Sequence, residues 1–350
     1  MPTALVTGAT GLVGSHIVER LVGDGWRIRA LVRDPQAVRH ATPSGWDGIG
    51  WLRGQGVELA AGDILDLPSF VEAARGCDTI FHTAAAVTPP AMRVHPYDAY
   101  RVPNVDGTRN AIAAAARHGA RLLQLSSVAV YGPKARYASS TVTGVDETMA
   151  LDPLPERAYY ARSKRESEEL VMAAHNEGRI WATAVRPDVI YGPRDRQFIP
   201  RLARFLRFGV APVIDGGKAI MAIVHAAHVA DGAVRAATRD AAGGRAYNLA
   251  NDFDVRWRDF FRLAGEGLGR RIRCVSIPHG VAGSLLSITK RAIRLVTAGG
   301  MNVVTTASLD FMSRDNPFNS DRARRELGWD PALRPEAAIP AAFRWWRENR

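Results

Sequence analysis

The chain has 350 residues, 47% hydrophobic and 23% charged, a balance that excludes large-scale disorder and suits one large α/β unit or two fused domains. Its formal charge is +11, and from Arg256 to Arg350 there are 17 Arg and Lys against 9 Asp and Glu; no basic run is interleaved with aromatics, so this reads as an arginine-rich surface and no nucleic-acid partner is expected. Cys77 and Cys274 lie far apart without metal-ligand spacing, and the first residues lack a secretory signal or a bilayer-length apolar run, which points to a soluble or peripheral cytoplasmic protein with no structural zinc.

Ala4–Thr7 reads as a strand that runs straight into Thr7-Gly8-Ala9-Thr10-Gly11-Leu12-Val13-Gly14, which opens the helical pattern Leu12–Val22. Each glycine has a physical use in a dinucleotide site. Gly8 permits a sharp turn, Gly11 lets the backbone approach a pyrophosphate, and Gly14 lets the helix pack close to the strand while the helix N-terminus faces the anion. Gly8, Thr10, Gly11, Leu12 and Val13 are therefore expected to bind cofactor.

The second strand, Ile28–Val32, is followed by Arg33 and Asp34. An acid at the strand end would accept from the adenosine ribose hydroxyls, whereas a guanidinium suits a 2′-phosphate. Arg33 thus favours NADP(H), with NAD(H) possible because a one-residue shift would bring Asp34 to the site. Ser44–Gly56, with five glycines, Trp46 and Trp51, reads as a surface loop.

Further strands are expected at Val57–Ala60, Thr79–His82, Leu122–Leu125 and Thr183–Val185, alternating with helical patterns at Ser69–Arg75, Val105–Arg117 and Tyr160–His175. Such alternation implies an α/β fold, a Rossmann-type doubly wound parallel sheet. Leu122–Leu125 leads into Ser126 and Ser127, so a hydroxyl would emerge at the C-terminal sheet edge. Tyr160 and Lys164 stand four apart and share a helix face, where an ammonium stabilises a phenolate. Tyr159 is an off-by-one rival that breaks this spacing. Beyond Gly192 the alternation weakens into a smaller, mixed lobe. The expected division is 1–192 for cofactor and catalysis and 193–350 mainly for substrate, with about 221–250 returning to the main domain.

Seven motifs then fall in order: TGxxGxxG, "GDILD" at 62–66, "HTAA" at 82–85, "NVDGT" at 104–108, "SSVAVYG" at 126–132, YxxxK at 160–164 and "RPDVIYGP" at 186–193. Over essentially the whole chain they resemble the extended short-chain dehydrogenase/reductases of the epimerase/dehydratase superfamily. The resemblance implies Ser127 as catalytic serine, Tyr160 as general acid/base and Lys164 as its activator and ribose anchor. It also implies that Asp63 and Ile64 meet the adenine, that Ala84 and Ala85 line the cofactor path, and that Pro187 to Ile190, Val189 included, border the nicotinamide. Nucleotide-sugar members often carry Asn where this chain has Val189, which argues against a sugar-nucleotide substrate.

"AVRPDVIYGPRD", the stretch Arg245–Gly269 and the tail "FNSDRARRELGWDP" look most like the 3β-hydroxysteroid dehydrogenase and dihydroflavonol-reductase-like branch. The activity implied is ketone/secondary-alcohol interconversion on a bulky, largely apolar small molecule such as a sterol. The rivals are an NDP-sugar epimerase or dehydratase and a non-catalytic NADP(H)-binding regulator; a homodimer is possible. Val281–Val296 is an amphipathic pattern that packs, covers the pocket or touches a membrane peripherally, and its three charges exclude a transmembrane span. His225 and His228 form HxxH without an evident acidic partner, so no metal is expected. Trp257, Phe260 and Phe261 read as core, Trp345 and Trp346 as anchors of the final helix. Arg194, Arg256 and Arg258 read as solvated surface or as contacts to an anion.

Overall fold

A computed structural model of the chain describes residues 1–37, 46–87, 96–132, 144–280 and 312–350. Seven strands, β1 (Thr3–Thr7), β2 (Arg27–Val32), β3 (Glu58–Ala61), β4 (Thr79–His82), β5 (Arg121–Leu125), β6 (Ala182–Pro187) and β10 (Ala246–Leu249), form one parallel sheet in the order β10-β6-β5-β4-β1-β2-β3. The inner strands β1, β4, β5 and β6 are almost wholly buried because both faces are covered, alternate residues serving opposite faces, whereas the edge strand β3 is partly exposed. Ala4 and Val6 of β1 join one core with the helices Leu12–Gly23 and Ala226–Thr238. Leu5 joins the other, with the helices Leu67–Ala74, Gly107–His118 and Tyr159–Asn176.

The chain leaves β1 to build β2 and β3 on one side, then crosses to β4 on the other. This reversal of strand order opens a crevice at the C-terminal ends of β1 and β4, where open α/β sheets bind ligands. The sequence elements recur with small shifts: β3 begins at Glu58, and the helix read at Val105 begins at Gly107 after a π-helical turn, Val102–Asp106.

A separate core gathers Tyr191, Ile199, Leu206, Trp257, Phe260 and Phe343. It is built from the helices Phe198–Phe205, Trp257–Leu268 and Pro335–Glu348, with the parallel pairs β8 (Val210–Ile214) with β11 (Arg273–Ile277) and β7 (Val189–Tyr191) with β9 (Ile223–His225). Trp257, Phe260 and Phe261 are buried there.

Two expectations are corrected. Of the loop expected at Ser44–Gly56, the described residues 46–56 carry a helix instead: Asp47 caps Gly48–Gly54 by accepting from the Gly50 N–H at 2.9 Å, and Trp46 is buried against Trp51 and Trp345. The indole rings bury enough apolar surface to offset the poor helix propensity of the glycines. Arg194 is not solvated surface. It is buried, with its guanidinium 5.0 Å from the Trp51 ring centre, and it donates to Ser15 Oγ at 2.9 Å and Glu19 Oε1 at 2.7 Å. Among the described residues no helix is long and apolar enough to cross a membrane, and 281–296 lies outside them.

Candidate active site

The glycine turn is packed to the limit of backbone contact. Gly8 adopts φ +69, and a Cβ there would lie 2.9 Å from the Ala84 nitrogen; a Cβ on Gly14 would lie 2.3 Å from the Gly8 carbonyl oxygen. The Gly11 N–H donates to that same oxygen at 2.8 Å, which folds the turn onto the first helix. Gly11 is the N-cap of that helix and no side chain caps it. The turn therefore offers the bare backbone and helix N-terminus that a pyrophosphate requires.

Side chains brace the turn from both sides. Thr83 Oγ1 donates to the Thr7 carbonyl oxygen at 2.7 Å, and Thr7 Oγ1 accepts from the Ala84 N–H at 3.2 Å while bonding His82 Nδ1 at 2.9 Å. Burial holds the His82 imidazole neutral, its pKa lowered to about 3, and the charge of Lys164 adds to this. On the outer side Thr10 gives its carbonyl oxygen to Arg196 at 2.9 Å and to the Trp46 indole at 3.4 Å.

β2 ends at Val32, so Arg33 is the next residue and is exposed. Asp34 is occupied by a turn, its Oδ1 accepting from the Gln36 N–H at 2.8 Å. Asp63 likewise accepts from the Leu65 N–H at 2.9 Å, and the Ile64 carbonyl accepts from Asn110 at 2.8 Å. Ala84 and Ala85 follow β4, beside the glycine turn. Pro187 closes β6, and Val189 and Ile190 enter β7.

Ser126 and Ser127 follow β5. Ser127 is extended and caps a short 3-10 turn, its Oγ accepting from the Ala129 N–H at 3.2 Å; it is half-buried, whereas Ser126 is fully buried. Tyr160 and Lys164 lie on the helix Tyr159–Asn176, one turn apart. Lys164 Nζ donates to the Leu125 carbonyl oxygen at 2.7 Å, which places the ammonium at the end of β5, two residues from Ser127. Burial lowers the Lys164 pKa to about 8, partly countered by the Glu168 charge. Tyr160 is half-buried with its ring edge-on to Tyr100.

Three features were not assigned by the sequence. Asn104, inside the π-helical turn, accepts from the Ala86 N–H at 2.7 Å and donates to the Ala86 carbonyl and to Ser163 Oγ. It locks the segment after β4 to the helix that carries Tyr160, and π-turns recur at functional sites. Glu168 pairs with Arg186 in the interior, Nε lying 3.1 Å from each carboxylate oxygen, and Arg186 also donates to the Tyr131 hydroxyl. His228 does have an acidic partner: its Nδ1 is 2.8 Å from Asp252 Oδ2, and its Nε2 accepts from the Leu333 N–H. Only the fold brings Asp252 there. Among the described residues no group of three or more His, Cys, Asp or Glu is arranged to hold a metal.

A depression of about 310 Å³ lined by Trp26, Arg27, Gln55 and Glu58 opens at the N-terminal ends of β2 and β3, the opposite edge from these residues.

Comparison with known proteins agrees with the fold. Residues 4–250 match the model of the NAD dependent epimerase/dehydratase family. The chain is 29% identical over 326 residues to a 4-hydroxy-2-methyl-3-oxo-4-farnesyl-3,4-dihydroquinoline-1-oxide ketoreductase of Stigmatella aurantiaca, across 93% of this chain and 90% of that one. It is 28% identical to the human sterol-4-alpha-carboxylate 3-dehydrogenase, decarboxylating, across 99% of this chain and 88% of that protein. The crystal structure of gox2253 superposes with a TM-score of 0.72 at 28% identity, covering 99% of this chain and 98% of the other.

Proposed function

The chain belongs to the NAD dependent epimerase/dehydratase family, and we propose that it is an oxidoreductase interconverting a ketone and a secondary alcohol on a bulky, largely apolar substrate. The observation that carries this reading is the buried Lys164 ammonium at the end of β5, two residues before Ser127 and one helical turn from Tyr160. The chemistry named for the two relatives, a farnesylated ketone and a sterol, supports the substrate class.

In the proposed reduction, Ser127 Oγ donates a hydrogen bond to the substrate carbonyl oxygen and Tyr160 gives its phenolic proton to that oxygen as the carbonyl carbon becomes tetrahedral. A nicotinamide dinucleotide, when bound, supplies or accepts the hydride. The Tyr160 phenolate left behind is stabilised by the Lys164 charge, since a cation beside a phenol lowers its pKa from about 10 toward the working range. Lys164 would also anchor the ribose. Gly8, Thr10, Gly11, Leu12 and Val13 would hold the pyrophosphate, Asp63 and Ile64 the adenine side, and Ala84, Ala85, Pro187, Val189 and Ile190 the nicotinamide side. Asn104 is read as a positioning residue for the Tyr160 helix.

NADP(H) is the proposed cofactor. Its support is the end of β2 at Val32, which leaves Arg33 exposed at the place for a 2′-phosphate while Asp34 serves its own turn. Residues 1–192 are proposed as the cofactor and catalytic unit and 193–350 mainly as the substrate lobe. The return of about 221–250 to the main unit is supported by β10, which pairs with β6, and by the Ala226–Thr238 helix packed on the first helix.

The test follows nicotinamide absorbance with NADPH and NADH over a panel of sterol, polycyclic and long-chain ketones and alcohols. Turnover that Tyr160→Phe abolishes while cofactor still binds is the expected result. Thermal stabilisation by UDP- or dTDP-sugars, with no turnover of the ketone panel, would replace this reading with a sugar-nucleotide epimerase or dehydratase.

A further inference from the structure

The second lobe carries a surface on which arginines and uncovered apolar side chains alternate. The helix Phe198–Phe205 continues into a 3-10 turn, Leu206–Phe208. Its inward side holds Ile199, Ala203 and Leu206, all buried. Helical spacing puts Arg201, Arg204, Phe205 and Phe208 together on the outward side. Phe208 is 74% exposed and Phe205 39%, so two aromatic rings one turn apart are uncovered on the same side.

The neighbouring strands extend the same surface. β8 and β11 pair in parallel with Val210 opposite Arg273, and Val210 and Val275 are 42% and 44% exposed. The Arg270 guanidinium donates to the Arg207 carbonyl and the Arg273 N–H to the Gly209 carbonyl at 2.8 Å, so the two segments form one continuous face. Arg271 and Arg273 flank the buried Ile272 and are exposed.

No ion pair among the described residues involves Arg201, Arg204, Arg207, Arg270, Arg271 or Arg273. Acids of the same lobe are engaged: Glu266 pairs with Arg262 at 2.7 Å, Asp215 Oδ1 accepts from the His279 N–H at 3.0 Å, and the buried Asp195, which feels the Arg201 charge, accepts from the Gln197 and Ile199 N–H groups. Arg207 stacks on Phe208 with its guanidinium 4.5 Å from the ring centre. An aromatic tip capped by a cation is an arrangement that enters a headgroup layer ring first while the guanidinium remains among phosphates.

We propose that this face docks on an anionic lipid bilayer, with Phe208, Phe205, Val210 and Val275 entering the headgroup region and the surrounding arginines meeting lipid phosphates. Charge complementarity selects the bilayer. Six guanidinia without an ion pair among the described residues, those of Arg204 and Arg270 bonded only to backbone carbonyls, call for a dense negative surface, and the apolar tips between them have no use on a fully hydrated polyanion. The face lies wholly within the described residues, does not involve 281–296, and stands independently of the reading of the active site.

The experiment is co-sedimentation of the full chain with vesicles of phosphatidylcholine alone or mixed with phosphatidylglycerol. Expected is binding to the mixed vesicles only, weakened by salt. Arg207→Gln with Arg271→Gln should lower the partition constant about 25-fold, about fivefold for each charge removed. Phe208→Ser should lower it about tenfold. Melting temperatures of the variants should stay near that of the parent, because the altered side chains are exposed. Absence of binding to the mixed vesicles overturns the proposal. So does binding that Phe208→Ser leaves unchanged and duplex DNA competes away, which would mark the face as a general polyanion site. A Phe208→Ser chain that loses a dimer seen in the parent also overturns it, in favour of a second copy on this face.

Discussion

Lys164 donates from Nζ to the Leu125 carbonyl oxygen at 2.7 Å, which ties the helix carrying Tyr160 to the end of the strand that delivers Ser127. The same burial that aims the ammonium lowers its pKa to about 8. In the unfolded chain a lysine titrates near about 10.4, so between these values the unfolded state binds more protons than the folded one. Stability therefore increases as pH rises from about 8 toward 10.

The first prediction follows. Lys164→Met should raise stability at pH 7 by about 1–3 kcal/mol, because it removes a buried charge, and on the proposed mechanism it should abolish turnover. Its advantage should vanish by about pH 10. Urea denaturation of both chains at two pH values checks it; a variant less stable at pH 7 would refute the burial argument.

Gly14→Ala is expected to abolish cofactor binding and to destabilise the fold by about 2–4 kcal/mol, since the new methyl would meet the Gly8 carbonyl at 2.3 Å. Gly23→Ala in the same helix has open space around its Cβ and should be neutral or slightly stabilising. Calorimetry with cofactor and a thermal melt separate the two.

Three histidines predict acid sensitivity. Burial lowers the pKa of His16, His82 and His225 to about 3 each, against 6.5 in the unfolded chain, with Arg194, Lys164 and His16 respectively adding to the effect. The folded state keeps them neutral, so their contribution is complete above pH 6.5 and is lost as pH falls toward 3. At pH 5 each costs about 2 kcal/mol. Denaturant midpoints at pH 7 and pH 5 should differ accordingly, and His82→Gln should flatten that slope.

Arg33→Ala should weaken NADPH binding at least about tenfold and leave NADH binding within about twofold, if the guanidinium meets the 2′-phosphate. Equal losses for both cofactors would remove Arg33 from cofactor selection. Titration of the two nucleotides by intrinsic fluorescence gives the comparison.

Much of this site was legible because its signals are local. The Gly8–Gly14 turn, the four-residue step from Tyr160 to Lys164 and the serines after Leu125 are set by backbone geometry within a few residues, and alternation of strand and helix was enough to imply a parallel sheet. Local patterning failed where long-range packing overrides propensity. Ser44–Gly56 carries five glycines and reads as a loop, yet Trp46 finds Trp51 and Trp345 and Gly48–Gly54 within it folds as a helix.

The sequence by itself therefore determined the class of fold, because short-range periodicity encodes it, while Ser127, Tyr160 and Lys164 came forward as the proposed chemical set through the resemblance of its ordered motifs to a family. The tertiary structure decided what holds them in place. Arg194 reaches Ser15 across 179 positions, Asn104 reaches Ser163 across 59, and Asp252 closes on His228 across 24. Such contacts exist only after the sheet has reversed its strand order and the two cores have met. Their polar groups are paired because burial without a partner would cost more than the fold can spare.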